Sequence, residues 1–492
     1  MRSSRSITRF WPYFLIAAVY AFATSATIID VFRRYDEFRL GWSWDLAYYN
    51  QWFWSTSHGI GTISVRPVAS FGEEGPSIWK MNYLAPIRVL ILPFYSLYPH
   101  PKTLLLIHAI LFWLLIPAAY TLARSEGVGR AVAVAAALSS TFVPLLHPLA
   151  VNDFRELQIA IPFVLWAIEG YRSRRLGLSA WGIGGLLCCR QEYAIVVGSL
   201  AFVPPRERED PGKTLVWRQS VVLIGVVWFC WIYLGYLRWM IGPNAPDHFL
   251  EEFMKPKPPW DEIARTATGI VVIGLGGWAL LGCAAPRLTL ICLPWLWGLA
   301  TGRWAIRLIE TEDWHGVRYA APFAASSLAA GLVGYARIAN RLMSLRRGAV
   351  FVPIFAILVA LSLAIPHVEI ARKLDRVPRR IDADEAAIVW KWIDRIAPDE
   401  GVMAVYDVSA QLSSRRLLSS YILDQNKPIG FPKLKPVYQW VFTRANDIPE
   451  SIWINQGFEL VHHGRAVRIY RRAASDARSA AKKSASSERL SQ

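Results

Sequence analysis

The chain has 492 residues, 54% of them hydrophobic and 13% aromatic, with 23 tryptophans and a net charge of +17. That is too apolar for an ordinary soluble enzyme, and apolar runs of about 20 residues recur, the length a bilayer core demands. The basic balance does not imply nucleic acid, because no binding motif for it is present and Lys and Arg collect in short loops between apolar runs, as cytoplasmic loops do.

Strand alternation suited to a barrel is absent. The expected fold is therefore mostly α: a polytopic helical membrane protein with about 9–11 membrane segments. Arg2, Arg5 and Arg9 precede the first apolar run, Phe10 to Ile29, which reads as an uncleaved first span with a cytoplasmic N-terminus. Residues 31–83 form a long first outer loop. It opens on Gly41-Trp-Ser-Trp-Asp-Leu-Ala-Tyr-Tyr-Asn-Gln-Trp-Phe-Trp54, where one acid, Asp45, stands among four tryptophans. Pro86 to Tyr98 is apolar but short, a half-helix or an interfacial helix.

Leu104 to Ala123 and Ala131 to Leu146 span, on either side of a basic loop at Arg124 to Arg130. Asp153-Phe-Arg-Glu156 lies in the next polar turn, and Ile159 to Tyr171 returns to Arg172, Arg174 and Arg175. Arg190-Gln191-Glu192 interrupts the apolar run from Leu176 to Val203. Charges at mid-membrane are costly, so two short helices meeting at that trio are expected. Later spans place Gly242 to Glu262 and Arg303 to Arg318 outside and the Arg337 to Arg347 cluster inside.

Residues 1–366 are thus expected as the membrane domain. Residues 367–472 read as a small extracytoplasmic α/β domain, and residues 473–492, rich in Ala, Ser, Lys and Arg, as a disordered tail. Asp382 to Ile396 has helical periodicity. Val402 to Tyr406, Leu417 to Leu423 and Ser451 to Ile454 read as strands, and Phe458 to Val461 with Val467 to Tyr470 as a hairpin. The five cysteines lie in apolar runs without metal spacing and read as small buried hydrophobes.

Three polar clusters fall on one side of this topology: Asp45; Asp153, Arg155 and Glu156; and Arg190 with Glu192. His315 and Arg318 join them from the Glu310 to Arg318 loop. A carboxylate near lipid headgroups suits a general base, and an Arg suits a phosphate. Each also has a plainer reading: Asp45 as a helix N-cap or a partner of Arg33, Arg34 or Arg39, Glu156 as a first-turn acid, Arg190 and Glu192 as an ion pair between two helices. No metal motif is present.

These stretches resemble a bacterial and archaeal family of polytopic membrane proteins catalogued as a domain of unknown function and related to the GT-C glycosyltransferases. The resemblance rests on Trp44-Asp-Leu-Ala-Tyr-Tyr-Asn-Gln51, Tyr83-Leu-Ala-Pro-Ile87, Asp153-Phe-Arg-Glu156, Cys189-Arg-Gln-Glu-Tyr193 and Leu412-Ser-Ser-Arg415. It implies a GT-C-like membrane domain in the plasma membrane, with membrane lipids and a polyprenyl-phosphate-linked sugar donor as partners. Asp45 and Glu156 then fall at catalytic acids and Arg190 with Glu192 at substrate contacts; Asp153, Arg155, His315 and Arg318, from the polar clusters on the same side, are candidate substrate contacts beside them. Glu156 and Glu192 would position Arg190 or a divalent ion such as Mg or Mn. The chain departs from the pattern at Asn82-Tyr83, where a His-Phe pair is expected, and at Gln191, where an acid is expected. A flippase for lipid-linked material and an inactive envelope scaffold remain open beside the transferase.

Overall fold

The computed structural model describes residues 4–40, 43–65, 77–79, 84–206, 211–240, 242, 257–301, 317, 319–375, 381–421 and 434–473. The chain divides into two compact units. Residues 1–29, 82–88 and 106–377 form a helical unit; residues 30–81, 89–105 and 378–492 form a second unit built on a sheet.

Among the described residues, four helical stretches are long and apolar enough to cross a bilayer: Phe10–Asp36, Pro101–Ser125, Gly212–Met240 and Gly348–Asp375. Ile354, Ile357, Leu358, Leu361 and Ile365 recur at helical spacing along the last of these, and all are exposed. So large an apolar stripe is unfavourable in water and at home in hydrocarbon. The chain is a polytopic helical membrane protein with a small C-terminal sheet. The cysteines are less uniformly buried than expected: Cys189 and Cys292 are buried, but Cys230 and Cys283 are exposed on apolar helices, where hydrocarbon accepts a thiol as readily as a core does.

The centre of the helical unit is Ala321–Met343, buried without a break from Ala321 to Ala336. Its Ala, Gly and Ser residues let neighbouring helices come close, the packing that membrane helices favour. The pair Ile161–Arg172 and Leu176–Cys189 is packed more tightly still. A Cβ on Gly182 would fall 2.3 Å from the Ala167 nitrogen, and one on Gly170 would fall 2.3 Å from that of Ser179. This antiparallel hairpin puts the residues just before Ile161 and just after Cys189 at the same end. Gly182→Leu is therefore expected to prevent the pair from closing and to abolish the monodisperse peak of the solubilised protein in size exclusion. Gly177→Leu on the same helix, with open space around it, is expected to leave that peak intact.

The expected break in the 176–203 run is present: Leu176–Cys189 ends at Arg190, and Tyr193–Ser199 starts beyond Glu192. The opposite end of the hairpin carries its own ion pair. Arg172 donates to both carboxylate oxygens of Glu126 and to the Pro204 carbonyl at 2.7–3.0 Å.

In the second unit, strands β1 (Gly401–Val405), β2 (Leu418–Tyr421), β3 (Tyr438–Arg444), β4 (Phe458–His463) and β5 (Val467–Arg472) form one sheet, ordered β2-β1-β3-β5-β4. β1 is parallel to β2 and β3, while β5 is antiparallel to β3 and β4. β1 and β2 are buried throughout, as parallel strands covered on both faces are. The helix Ala383–Ile393 lies where periodicity predicts it and buries Ala386, Val389 and Ile393. Its Glu385 carboxylate accepts the backbone N–H groups of Ala466 and Val467 at 2.9–3.1 Å, which fixes the β4–β5 turn.

Two elements differ from the sequence expectation. The stretch read as a strand at Ser451 to Ile454 is the helix Glu450–Ile454. Pro449 precedes it and Glu450 stands in its first turn, both favourable at a helix start, and burial of Trp453 holds it in place. The central strand β3 was not anticipated, although Tyr438, Trp440, Val441 and Phe442 are strand formers.

Candidate active site

The functional candidates fall into one group in each unit. In the helical unit, the hairpin gathers residues from three parts of the chain. Arg88, in the second position of the helix Ile87–Leu97, pairs through Nε with Glu156 Oε1. Glu156 opens the short helix Glu156–Ile159 and is fully buried, and the Arg88 side chain is 3% exposed. One residue earlier, Arg155 makes a bidentate pair with Asp153 at 3.0 and 3.1 Å. Arg190 makes another with Glu192 at 3.0 and 2.6 Å.

Backbone contacts tie the three segments together. Tyr193 donates its hydroxyl to the Leu157 carbonyl at 2.6 Å, and the Leu84 N–H donates to Gln191 Oε1 at 3.0 Å. Each arginine therefore sits beside a carboxylate of its own, buried in an apolar unit. Such pairs recover their desolvation cost only with good geometry, which the two bidentate forks supply. Glu192 is the more open acid, with a side chain 20% exposed.

Glu156 and Arg190 stand on segments joined by the Tyr193–Leu157 hydrogen bond, Glu156 paired with Arg88 and Arg190 with Glu192. Arg88 was missed, although a charge inside the apolar run from Pro86 to Tyr98 was a usable signal. The acids do not suit an Mg or Mn ion, because Asp153, Glu156 and Glu192 each hold a guanidinium. Among the described residues no three His, Cys, Asp or Glu side chains are grouped as metal ligands. His315, Arg318 and Asn82-Tyr83 lie outside the described residues.

Asp45 belongs to the second unit. It stands in the first turn of the helix Ser43–Ser57, 9% exposed, where the helix dipole favours a carboxylate. Nearby, Arg33 and Arg34 reach Asp30, and Arg39 reaches Glu37.

The same helix carries Asn50 and Gln51, which bind the C-terminal part of the chain. Asn50 Nδ2 donates to the hydroxyls of Ser413 and Ser414 at 2.9 and 3.1 Å, and its Oδ1 accepts from Tyr95 at 2.7 Å. Gln51 Oε1 accepts the N–H groups of Ser64 and Val65, while its Nε2 donates to Ser64 Oγ and the Arg415 carbonyl. The Arg415 guanidinium donates to the Leu412, Ala397 and Glu400 carbonyls. Burial pushes it down to about 10, against the pull of Glu400.

Two motifs far apart in sequence, Trp44 to Gln51 and Leu412 to Arg415, are therefore one hydrogen-bonded seam. Gln51→Ala would strand two buried backbone donors and is expected to cost the second unit at least about 2 kcal/mol. A lowered melting temperature and faster proteolysis within residues 378–473 would show it; unchanged values would refute it.

Residues 37–241 match the family described as "Predicted membrane protein (DUF2079)". No curated protein sequence matches the chain. Among solved structures, ArnT from Cupriavidus metallidurans bound to undecaprenyl phosphate is similar, with a TM-score of 0.57 and 12% identity over 95% of this chain and 99% of that one. The apo form of ArnT gives a TM-score of 0.54 and 13% identity over 94% and 99%. At such identities the likeness is one of fold. The chain is a membrane protein that matches this predicted membrane protein family over residues 37–241 and has a fold similar to that of ArnT.

Proposed function

We propose that the protein is a membrane glycosyltransferase that takes its sugar from a polyprenyl-phosphate carrier at the outer face of the plasma membrane. The observation that carries this reading is the gathering of Arg88, Arg155 and Arg190, each beside its own carboxylate, at one end of the hairpin. The full-length likeness to a fold that holds undecaprenyl phosphate in ArnT supports it. The outer assignment follows the basic loops: Arg124, Arg130, Arg172, Arg174, Arg175 and the Arg337 to Arg347 cluster belong to turns at the other end, which the positive-inside rule places in the cytoplasm.

In this reading the acceptor hydroxyl gives its proton to a carboxylate base, the role the sequence suggests for Asp45, as its oxygen bonds to the anomeric carbon. The bond from that carbon to the phosphate oxygen breaks, and the carrier phosphate leaves with the electron pair. Arg190, oriented by Glu192, neutralises the departing phosphate, and Arg88 and Arg155 add positive potential. Glu156 holds Arg88 in place rather than reacting. The test is turnover by purified protein given undecaprenyl-phosphate-linked sugars and an envelope extract as acceptor. Release of undecaprenyl phosphate that Arg190→Gln abolishes supports the reading. Release that persists in Arg190→Gln, or no release with any donor, overturns it.

A further inference from the structure

Two of the candidate spans, Phe10–Asp36 and Pro101–Ser125, have ends that border one cavity of about 460 Å³ within the second unit. It lies in the size range of small-molecule sites. One wall is Tyr98, an exposed residue whose ring stacks on His100 with centroids 5.3 Å apart. The facing wall is the helix Ala383–Ile393, where Ala383, Ala386 and Ala387 keep the space open beside Trp390. Trp390 is fixed by donating Nε1–H to the Asp36 carbonyl at 2.9 Å.

The polar groups at the cavity are of complementary kinds. Asp36 has a half-exposed carboxylate, 2.8 Å from Lys102 Nζ. His100 Nδ1 accepts the Lys102 backbone N–H at 3.1 Å, so the neutral ring carries its proton on Nε2 and is a donor there. Burial, with Lys102 adding to it against Asp36, pushes this histidine down to about 4, so it stays neutral at pH 7.

An accepting carboxylate, a neutral N–H donor, an ammonium and an open aromatic face match a ring that bears hydroxyls on its edge and C–H groups on its face. We propose that this cavity is a saccharide-binding site, in which one sugar ring lies against Tyr98 and its hydroxyls are held by Asp36, His100 and Lys102. The inference goes beyond the transfer reading and does not rest on it, because a catalytically dead protein would still bind.

The test is saturation-transfer difference NMR on the full chain in nanodiscs. The probes are methyl β-D-glucopyranoside, methyl β-D-galactopyranoside, methyl α-D-mannopyranoside and methyl α-D-arabinofuranoside, with phosphoethanolamine as a lipid-headgroup probe. At least one glycoside is expected to bind, with Asp36→Asn and Tyr98→Ala weakening it about tenfold or more. Ala387→Trp, which fills the cavity from an exposed helix position, is expected to abolish binding without lowering the melting temperature. The proposal is overturned if no glycoside binds below about 50 mM, or if folded Asp36→Asn and Ala387→Trp bind like the parent. It is equally overturned if only phosphoethanolamine binds and Asp36→Asn releases it, which would assign the cavity to a lipid headgroup.

Discussion

Replacing Arg88 with alanine is expected to destabilise the helical unit by about 3–5 kcal/mol, because it leaves the carboxylate of Glu156 buried without its guanidinium. Glu156 is fully buried and its Oε2 has no hydrogen-bond partner among the described residues. Relaxation cannot easily bring water to it. Glu156→Gln strands the cation instead and should cost a similar amount. The double variant Arg88→Met with Glu156→Leu removes both charges and fills similar volume, so it should recover most of the loss. Thermal unfolding of the four proteins in one detergent measures this. An Arg88→Ala protein that melts like the parent would show that the pair contributes nothing to folding. Turnover separates the roles: under the proposed transfer, the double variant should fold yet transfer poorly, since the positive potential assigned to Arg88 is gone.

Asp45→Asn is expected to lower the rate of sugar transfer by about 10²–10⁴-fold, the usual contribution of a positioned general base. Loss of the carboxylate's charge at a helix N-terminus is expected to cost about 0.3–1 kcal/mol in stability. Amide and carboxylate are nearly isosteric, so the helix Ser43–Ser57 and its seam to Ser413 should persist. The discriminating measurement is kcat with saturating donor, since loss of a base lowers kcat while leaving donor affinity largely intact. Transfer at the parent rate by folded Asp45→Asn would remove Asp45 from the chemistry. A protein that loses both rate and melting temperature would instead make the aspartate a structural cap.

Much of the architecture was legible because lipid restricts the options. Apolar length and loop charge read out helices without any partner being known, and the cost of a charge in an apolar run located the break at Arg190 to Glu192. The same rule applied to Arg88 would have found the partner of Glu156, but a single cation near the start of a short apolar helix is easily read as a loop residue. What stayed illegible depends on distant partners. Asn50 and Gln51 look like incidental polar residues in an aromatic stretch until Ser413, Ser414 and the Arg415 carbonyl are placed beside them. β3 was missed although its residues favour a strand, and Ser451 to Ile454 was misread because alternation over four residues does not separate a strand from one helical turn. Asp45 was chosen for its chemical type and its place after the first span, and neither property names the groups around it.

The seam between Gln51 and Arg415 imposes an order on synthesis. Its two halves leave the ribosome more than 360 residues apart, so the early segment must wait, with donors and acceptors unmatched, until the chain through Arg416 has been made. Contacts of such long sequence separation close late and slowly. A chain terminated anywhere before the sheet would expose that segment to quality-control proteases, so premature stop codons should leave no stable fragment in the membrane rather than a truncated but folded one.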